Sequence, residues 1–259
     1  MNWAFENWQA LLGLIAQHAL LAAAPTLIGL AIAIPLGLLL HRTRAPRAIA
    51  FAVGGIIFTI PSLALFVVIP SIIGTQILNP INVVIALSCY SAALLLRSVF
   101  EALDSVDPVV RDAALAIGTS RVRLALGTDL PLAIPVLTAG ARVVAVTNVS
   151  LVSVGAVIGV GGLGQLFTAG YQRNYPDQIL AGILAILVLA FVFDRVLSLI
   201  GRILTPWTRA GVARRGSGNG NGSGSTETPG AALTGTASTA RASNSRAGAH
   251  PSEEVADVR

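Results

Sequence analysis

Gly159, Gly161 and Gly164 in the run GVGGLG have the Gly-x-Gly-x-x-Gly spacing that can cradle a dinucleotide pyrophosphate, and Arg142 and Asp194 are charges set inside apolar runs. The glycine motif acts between a strand and a helix of a βαβ unit, and no such unit can be read around it. His18, His41 and His250 lie far apart and Cys89 is the single cysteine, so neither a metal site nor an internal disulfide is expected. All 17 basic residues are arginine. Without lysine, a phosphate-binding loop ending in Gly-Lys-Ser/Thr and a Schiff base are both excluded. No paired carboxylates, histidine cluster or nucleophile–base spacing is found either. The chain therefore has no candidate catalytic residue and is not expected to be an enzyme.

The elements that must hold these residues are membrane helices. Hydrophobic residues make up 54% of the chain, charged residues 11%, and the mean hydropathy is +0.77, which is outside the usage of soluble domains. A bilayer core of about 30 Å takes roughly 20 apolar residues per helix. Five runs reach that length, at about 19–40, 48–70, 81–100, 132–158 and 178–201. The expected fold class is all-α, a polytopic membrane helical bundle of about five spans, with a transmembrane domain over 19–205. The first run is too long for a signal-peptide core and lacks a basic region before it, so it reads as a retained span.

Arginines set the orientation. Arg42, Arg44 and Arg47 follow the first run, Arg97, Arg111, Arg121 and Arg123 lie between the third and fourth, and Arg202, Arg209, Arg214 and Arg215 follow the fifth. The other two connections hold only Arg173. The positive-inside rule then puts the N-terminus outside and the C-terminus in the cytoplasm of a plasma (inner) membrane protein. Residues 1–18 read as a short helix at the outer surface, with Trp3 and Trp8 at the headgroup level. Residues 206–259, rich in Gly, Ser, Thr, Ala and Asn, read as a disordered cytoplasmic tail.

Between the third and fourth runs, over 101–131, lies a polar hairpin. Asp107 before Pro108 is an N-cap followed by a proline at the first helical position, and Gly118 is placed to end that helix in a left-handed conformation. Ser120 starts a second short helix that is expected to reach Leu130, where Pro131 leads into the next span. The 3.6 period groups Val109, Val110, Ala113, Ala114 and Ile117 in one sector and turns Arg111 and Asp112 away from it. Such a hairpin is either an amphipathic loop resting on headgroups or a lever that docks in a partner's groove.

The stretch DAALAIGTSRVRLALGTDLP resembles the cytoplasmic coupling loop of ABC-transporter permeases of the binding-protein-dependent importer type. Asp112, Ala113, Ala114, Gly118, Leu130 and Pro131 fall on the positions of that family's pattern. Asp112 stands where Glu is usual, which keeps the charge, and Thr128 stands where Ile is usual, which removes some apolar contact. The likeness runs from about His18 to Arg202. TIPSLAL, LPLAIPVLTAGAR and GAVIGVGGLGQLF are similar to the permeases that import glycine betaine, choline, carnitine and related osmoprotectants.

The resemblance implies the type I ABC importer permease fold, with Asp112 to Gly118 contacting the ATPase. It also implies a second permease copy or a related permease, two copies of a cytoplasmic ABC ATPase and an extracytoplasmic substrate-binding protein. The ATPase and binding protein are expected on separate chains. ATP is then expected on the partner, with no cofactor in this chain; the lipid bilayer is a further expected partner, and nucleic acid is not.

Several residues keep two readings. Gly159, Gly161, Gly162 and Gly164 serve either close helix packing or an irregular break lining the solute path. Thr59, Pro61 and Ser62 are pathway residues or simply a helix kink. Arg142 pairs with Asp194, or lines the pathway and helps exclude inorganic cations. Tyr90, Tyr171 and Tyr175 are too scattered for an aromatic cage around a quaternary ammonium, so selectivity is expected in the binding protein. A permease for methionine or another small substrate is the nearest alternative. An ion-coupled secondary transporter is a further one, although Asp194 is the one carboxylate expected inside a span.

Overall fold

The computed structural model describes residues 2–207, and among them every regular element is helical. Of the expected tail over 206–259, all but Pro206 and Trp207 lies outside the described residues. Helix α1 (Asn2–Glu6) is short. Helix α2 (Trp8–Leu40) then runs unbroken for 33 residues, through Pro25 and Pro35. The separate outer-surface helix expected over 1–18 is thus reduced to α1, since residues 8–18 continue the first span. The reason is packing: Leu11, Leu14 and Ile15 lie against the core and His18 is fully buried. At about 1.5 Å per residue this helix is about 50 Å long, well beyond a hydrocarbon core of about 30 Å.

The second expected span, 48–70, is not one helix. Helix α3 (Arg44–Thr59) and helix α4 (Ser62–Ile73) meet at a bend of 100°. Pro61 has no N–H to continue the ladder and its ring drives the residue before it out of the helical region. Ile60 accordingly sits at φ −69°, ψ 128°. Tyr90, near the middle of helix α5 (Pro80–Asp104), donates its hydroxyl to the freed Ile60 carbonyl. Its ring also meets Phe58 edge-on at 6.0 Å. A kink of this kind inside a bundle survives because a neighbouring helix supplies the missing partner.

Helix α5 starts where its sequence says it should, with Asn79 accepting from the Ile81 N–H at 3.0 Å and Pro80 in the first turn. After the hairpin, helix α8 (Leu130–Gly155) and helix α10 (Pro176–Leu204) complete the bundle. Among the described residues four helical stretches are long and apolar enough to cross a membrane, or five when the bent pair is taken as one span.

Helix α2 packs on α5 and α8, and small residues let the backbones approach. Gly29, Ala33 and Gly37, spaced four apart, are buried on the face that α2 turns to α5, the usual solution where lipid offers no hydrophobic drive. One core gathers Leu21, Phe66, Leu87 and Leu163 near the α4–α5 end, and a second gathers Leu95, Phe100, Leu103 and Leu137 near the hairpin. Leu187, Phe191, Leu199 and Ile203 of α10 remain exposed, as side chains facing acyl chains would. Between the cores, Asn148 donates to Thr26 Oγ1 and Ser91 Oγ, each at 2.8 Å, joining α8, α2 and α5.

Candidate coupling site and solute path

The hairpin is built by local rules. Asp107 accepts from the Val109 N–H at 2.9 Å, and Pro108 opens helix α6 (Pro108–Ala116). Gly118 ends it at φ +82°. The Thr119 N–H bonds the Ala114 carbonyl at 3.2 Å and the Gly118 N–H bonds Leu115 at 2.9 Å, the two crossed bonds of a Schellman turn. The Ser120 side chain caps helix α7 (Arg121–Leu124).

Beyond α7 the structure departs from expectation. The second helix does not stop at Leu130 but passes through a π-turn (Ala125–Asp129) directly into α8. Pro131 cannot donate and its ring crowds the carbonyl four residues earlier, so the ladder widens by one residue, with the Leu130 N–H bonding Ala125.

Asp112 and Ala113 are exposed on α6 and Ala114 is half-buried. Val109, Val110, Leu115 and Ile117 present an uncovered apolar surface beside them. Leu130 and Pro131 do not join that surface: they begin α8, where Leu130 packs on the core nearer the hairpin. Arg111, expected to point away, is turned inward. Its Nε donates to Asp129 at 2.7 Å and its Nη2 to the Leu103 carbonyl at 2.8 Å. Asp129 is 2% exposed and also accepts from Arg42 at 3.4 Å. Beside it, Asp104 holds Arg47 through both carboxylate oxygens, at 3.1 and 2.5 Å, and His41 at 2.8 Å. Helical periodicity missed these clusters, because a charged side chain follows its partner rather than its sector.

At the other end of α8 the helix breaks. A 3₁₀ turn (Ala156–Ile158) leads to Gly159 at φ +83° and Gly162 at φ +94°, and helix α9 (Gln165–Gln172) follows. Gly161, Gly162 and Gly164 are buried, and a Cβ on Gly164 would stand 2.5 Å from the Ser153 carbonyl. The segment is therefore an irregular break and a close-packed one at once. Gln17 and His18 of α2 hold it, with the Gly162 N–H donating to Gln17 Oε1 at 3.0 Å and the Leu163 N–H to His18 Nδ1 at 3.1 Å. Since Nδ1 accepts, the proton sits on Nε2, which donates to the Val149 carbonyl at 2.9 Å. The signal for this pair was two adjacent polar residues inside an apolar run.

Thr59 is exposed and donates to the Gly55 carbonyl at 2.8 Å; Pro61 is exposed and Ser62 half-buried at the bend. An open groove of about 800 Å³ lies between α2, α3 and α5, lined by Ile28, Ile32, Leu36, Ile49, Val53 and Val84 among others. Its lining is almost wholly apolar, which does not suit a charged or zwitterionic solute. Among the described residues no group of three His, Cys, Asp or Glu is placed to hold a metal ion.

Arg142 and Asp194 meet in the bundle, with Nη2 2.6 Å and Nε 2.8 Å from Asp194 Oδ1. Arg195 lies 4.0 Å from the same carboxylate and covers the Phe191 ring at 4.6 Å. Removing either member of the pair should cost about 1–2 kcal/mol of stability. Exchanging the two charges (Arg142→Asp with Asp194→Arg) should restore the folded yield that each single change loses. Size-exclusion chromatography of the detergent-extracted protein reads this, and a double variant no better than the singles counts against pairing.

Residues 9–209 match the family model described as binding-protein-dependent transport system inner membrane component. The chain is similar to the osmoprotectant import permease protein OsmW of Salmonella typhimurium, 34% identical over 80% of this chain and 97% of the relative. It is also similar to the carnitine transport permease protein OpuCB of Listeria monocytogenes, 32% identical over 78% of this chain and 91% of that one. Among solved structures, the MetNI methionine ABC transporter in an inward-facing conformation superposes with a TM-score of 0.68 at 24% identity, covering 75% of this chain and 96% of the other. That likeness identifies the fold.

Proposed function

This chain belongs to the family of binding-protein-dependent transport system inner membrane components, and we propose that it carries glycine betaine, choline, carnitine or a related osmoprotectant inward at the expense of ATP. The observation that carries this reading is α6: a short, doubly capped helix whose apolar surface is left uncovered beside two long membrane helices. Permeases named for osmoprotectants and carnitine, similar along most of the chain, support the solute class. The hairpin faces the cytoplasm and the N-terminus lies outside, as the arginine distribution favours.

In this reading α6 docks in a cleft of a separate ATPase subunit through Asp112, Ala113, Ala114 and Gly118. ATP binds there, not on this chain. An extracytoplasmic binding protein delivers the solute, and a second permease copy or a related one completes the path. Displacement of α6 on ATPase closure passes to α8 through the π-turn and to α5 through buried Val106. The mid-span bend at Thr59, Pro61 and Ser62 and the glycine break held by Gln17 and His18 are the irregular segments placed to gate the path. Arg142, paired with Asp194, acts in this scheme as a fixed part of the bundle.

The test is uptake of labelled glycine betaine in cells whose only osmolyte importer contains this permease. Uptake that depends on ATP and is competed by choline or carnitine is the expected result. Competition by methionine alone would remove the osmoprotectant assignment and leave the importer class standing.

A further inference from the structure

We propose that Asp129 is the positioning residue that makes the hairpin and the fourth span move as one body, a proposal that rests on the importer reading above. Helix α6 has no buried residue, so apolar packing does not hold it in place, and its uncovered apolar side chains are available to a partner. What ties it down is charge. Arg111 of α6 reaches Asp129 at 2.7 Å and the Leu103 carbonyl at 2.8 Å, while Arg42 approaches the same carboxylate at 3.4 Å. Asp129 thereby joins the turn after α2, α6 and the π-turn, and Arg111 extends the cluster to the end of α5.

Its position gives the clasp a direction. Asp129 closes the π-turn and the next residue begins α8, so a pull on Arg111 acts at the foot of that span. The π-turn is also the place where the helical ladder carries an extra residue and is easiest to bend. Without the clasp, α6 could follow the ATPase while α8 stayed behind. A carboxylate with two arginines and a charge-assisted bond to each resists that slack. Arg42 is the weaker holder, being longer in distance and 39% exposed.

The experiment uses the importer purified through a tag on the permease and reconstituted in proteoliposomes with its binding protein. Failure of any nucleotide-hydrolysing subunit to co-purify with the unaltered permease would reject the importer reading itself. Given the complex, Asp129→Asn and Arg111→Gln should retain ATPase subunits in normal amount, yet lower solute moved per ATP hydrolysed by about tenfold. Their combination should be no worse than the worse single change, because both remove one interaction. Arg42→Gln should stay within about twofold. Asp129→Glu, which keeps the charge, should recover most of the ratio. Should Asp129→Asn not accumulate, Arg111→Gln decides by the same readout. An unchanged ratio in assembled variants, or losses that multiply in the double variant, overturns the proposal.

Discussion

Valine at position 118 should remove most transport while leaving the permease in the membrane at its normal level. Gly118 sits at φ +82° and a Cβ there would meet no atom within 4 Å. Space is thus free and the whole effect is conformational. A β-branched residue held in the left-handed region costs about 1–3 kcal/mol. The chain can avoid that cost by opening the Schellman turn, which is the joint between α6 and α7. Helix α6 would then be presented to the ATPase at the wrong angle, and uptake should fall about tenfold or more. Gly118→Asn should keep most activity, since asparagine tolerates this region. Normal uptake together with normal ATPase co-purification in the valine variant would defeat the lever.

The second large effect falls on the bundle itself. A Cβ on Gly29 would stand 2.6 Å from Ser91 Cβ, 3.0 Å from the Ser91 carbonyl carbon and 3.1 Å from the Ala92 nitrogen. Two of these are backbone atoms that no rotamer change can move aside. Gly29→Leu must therefore push α2 and α5 apart, at a cost of about 3 kcal/mol or more. The same separation would open the bonds of Asn148 to Thr26 and Ser91, which lie at this crossing. Folded permease recovered in detergent should drop about tenfold. Gly13→Leu, where a Cβ meets nothing within 4 Å, is the control and should be recovered at the normal level. Equal recovery of the two variants would show that the α2–α5 crossing is not close-packed.

Features set by a handful of neighbouring residues could be read in advance. The Asp107 cap and the left-handed Gly118 both appear where residue type puts them, because capping and φ depend only on atoms a few residues away. The kink at Pro61 was legible for the same reason, but its angle was not: 100° depends on Tyr90 standing where its hydroxyl can donate to the freed Ile60 carbonyl. Arg111 shows the opposite case. The period of α6 turned it outward, whereas the buried Asp129, 18 residues later, pulls it in.

Read alone, the sequence determined the solvent, the number and length of the apolar runs, the capped hairpin between the third and fourth, and the family that its spacing resembles. Each of these follows from composition or from contacts within one or two helical turns. Only the tertiary structure decided which helix faces meet, that the first long helix, α2, begins at Trp8, that α7 runs through a π-turn into α8, and that Gln17 and His18 close over a glycine segment 145 residues away. The physical reason is the membrane. Where lipid and protein interior are equally apolar, hydrophobic periodicity no longer marks the buried face, and small-residue packing with a few long-range polar pairs makes the choice.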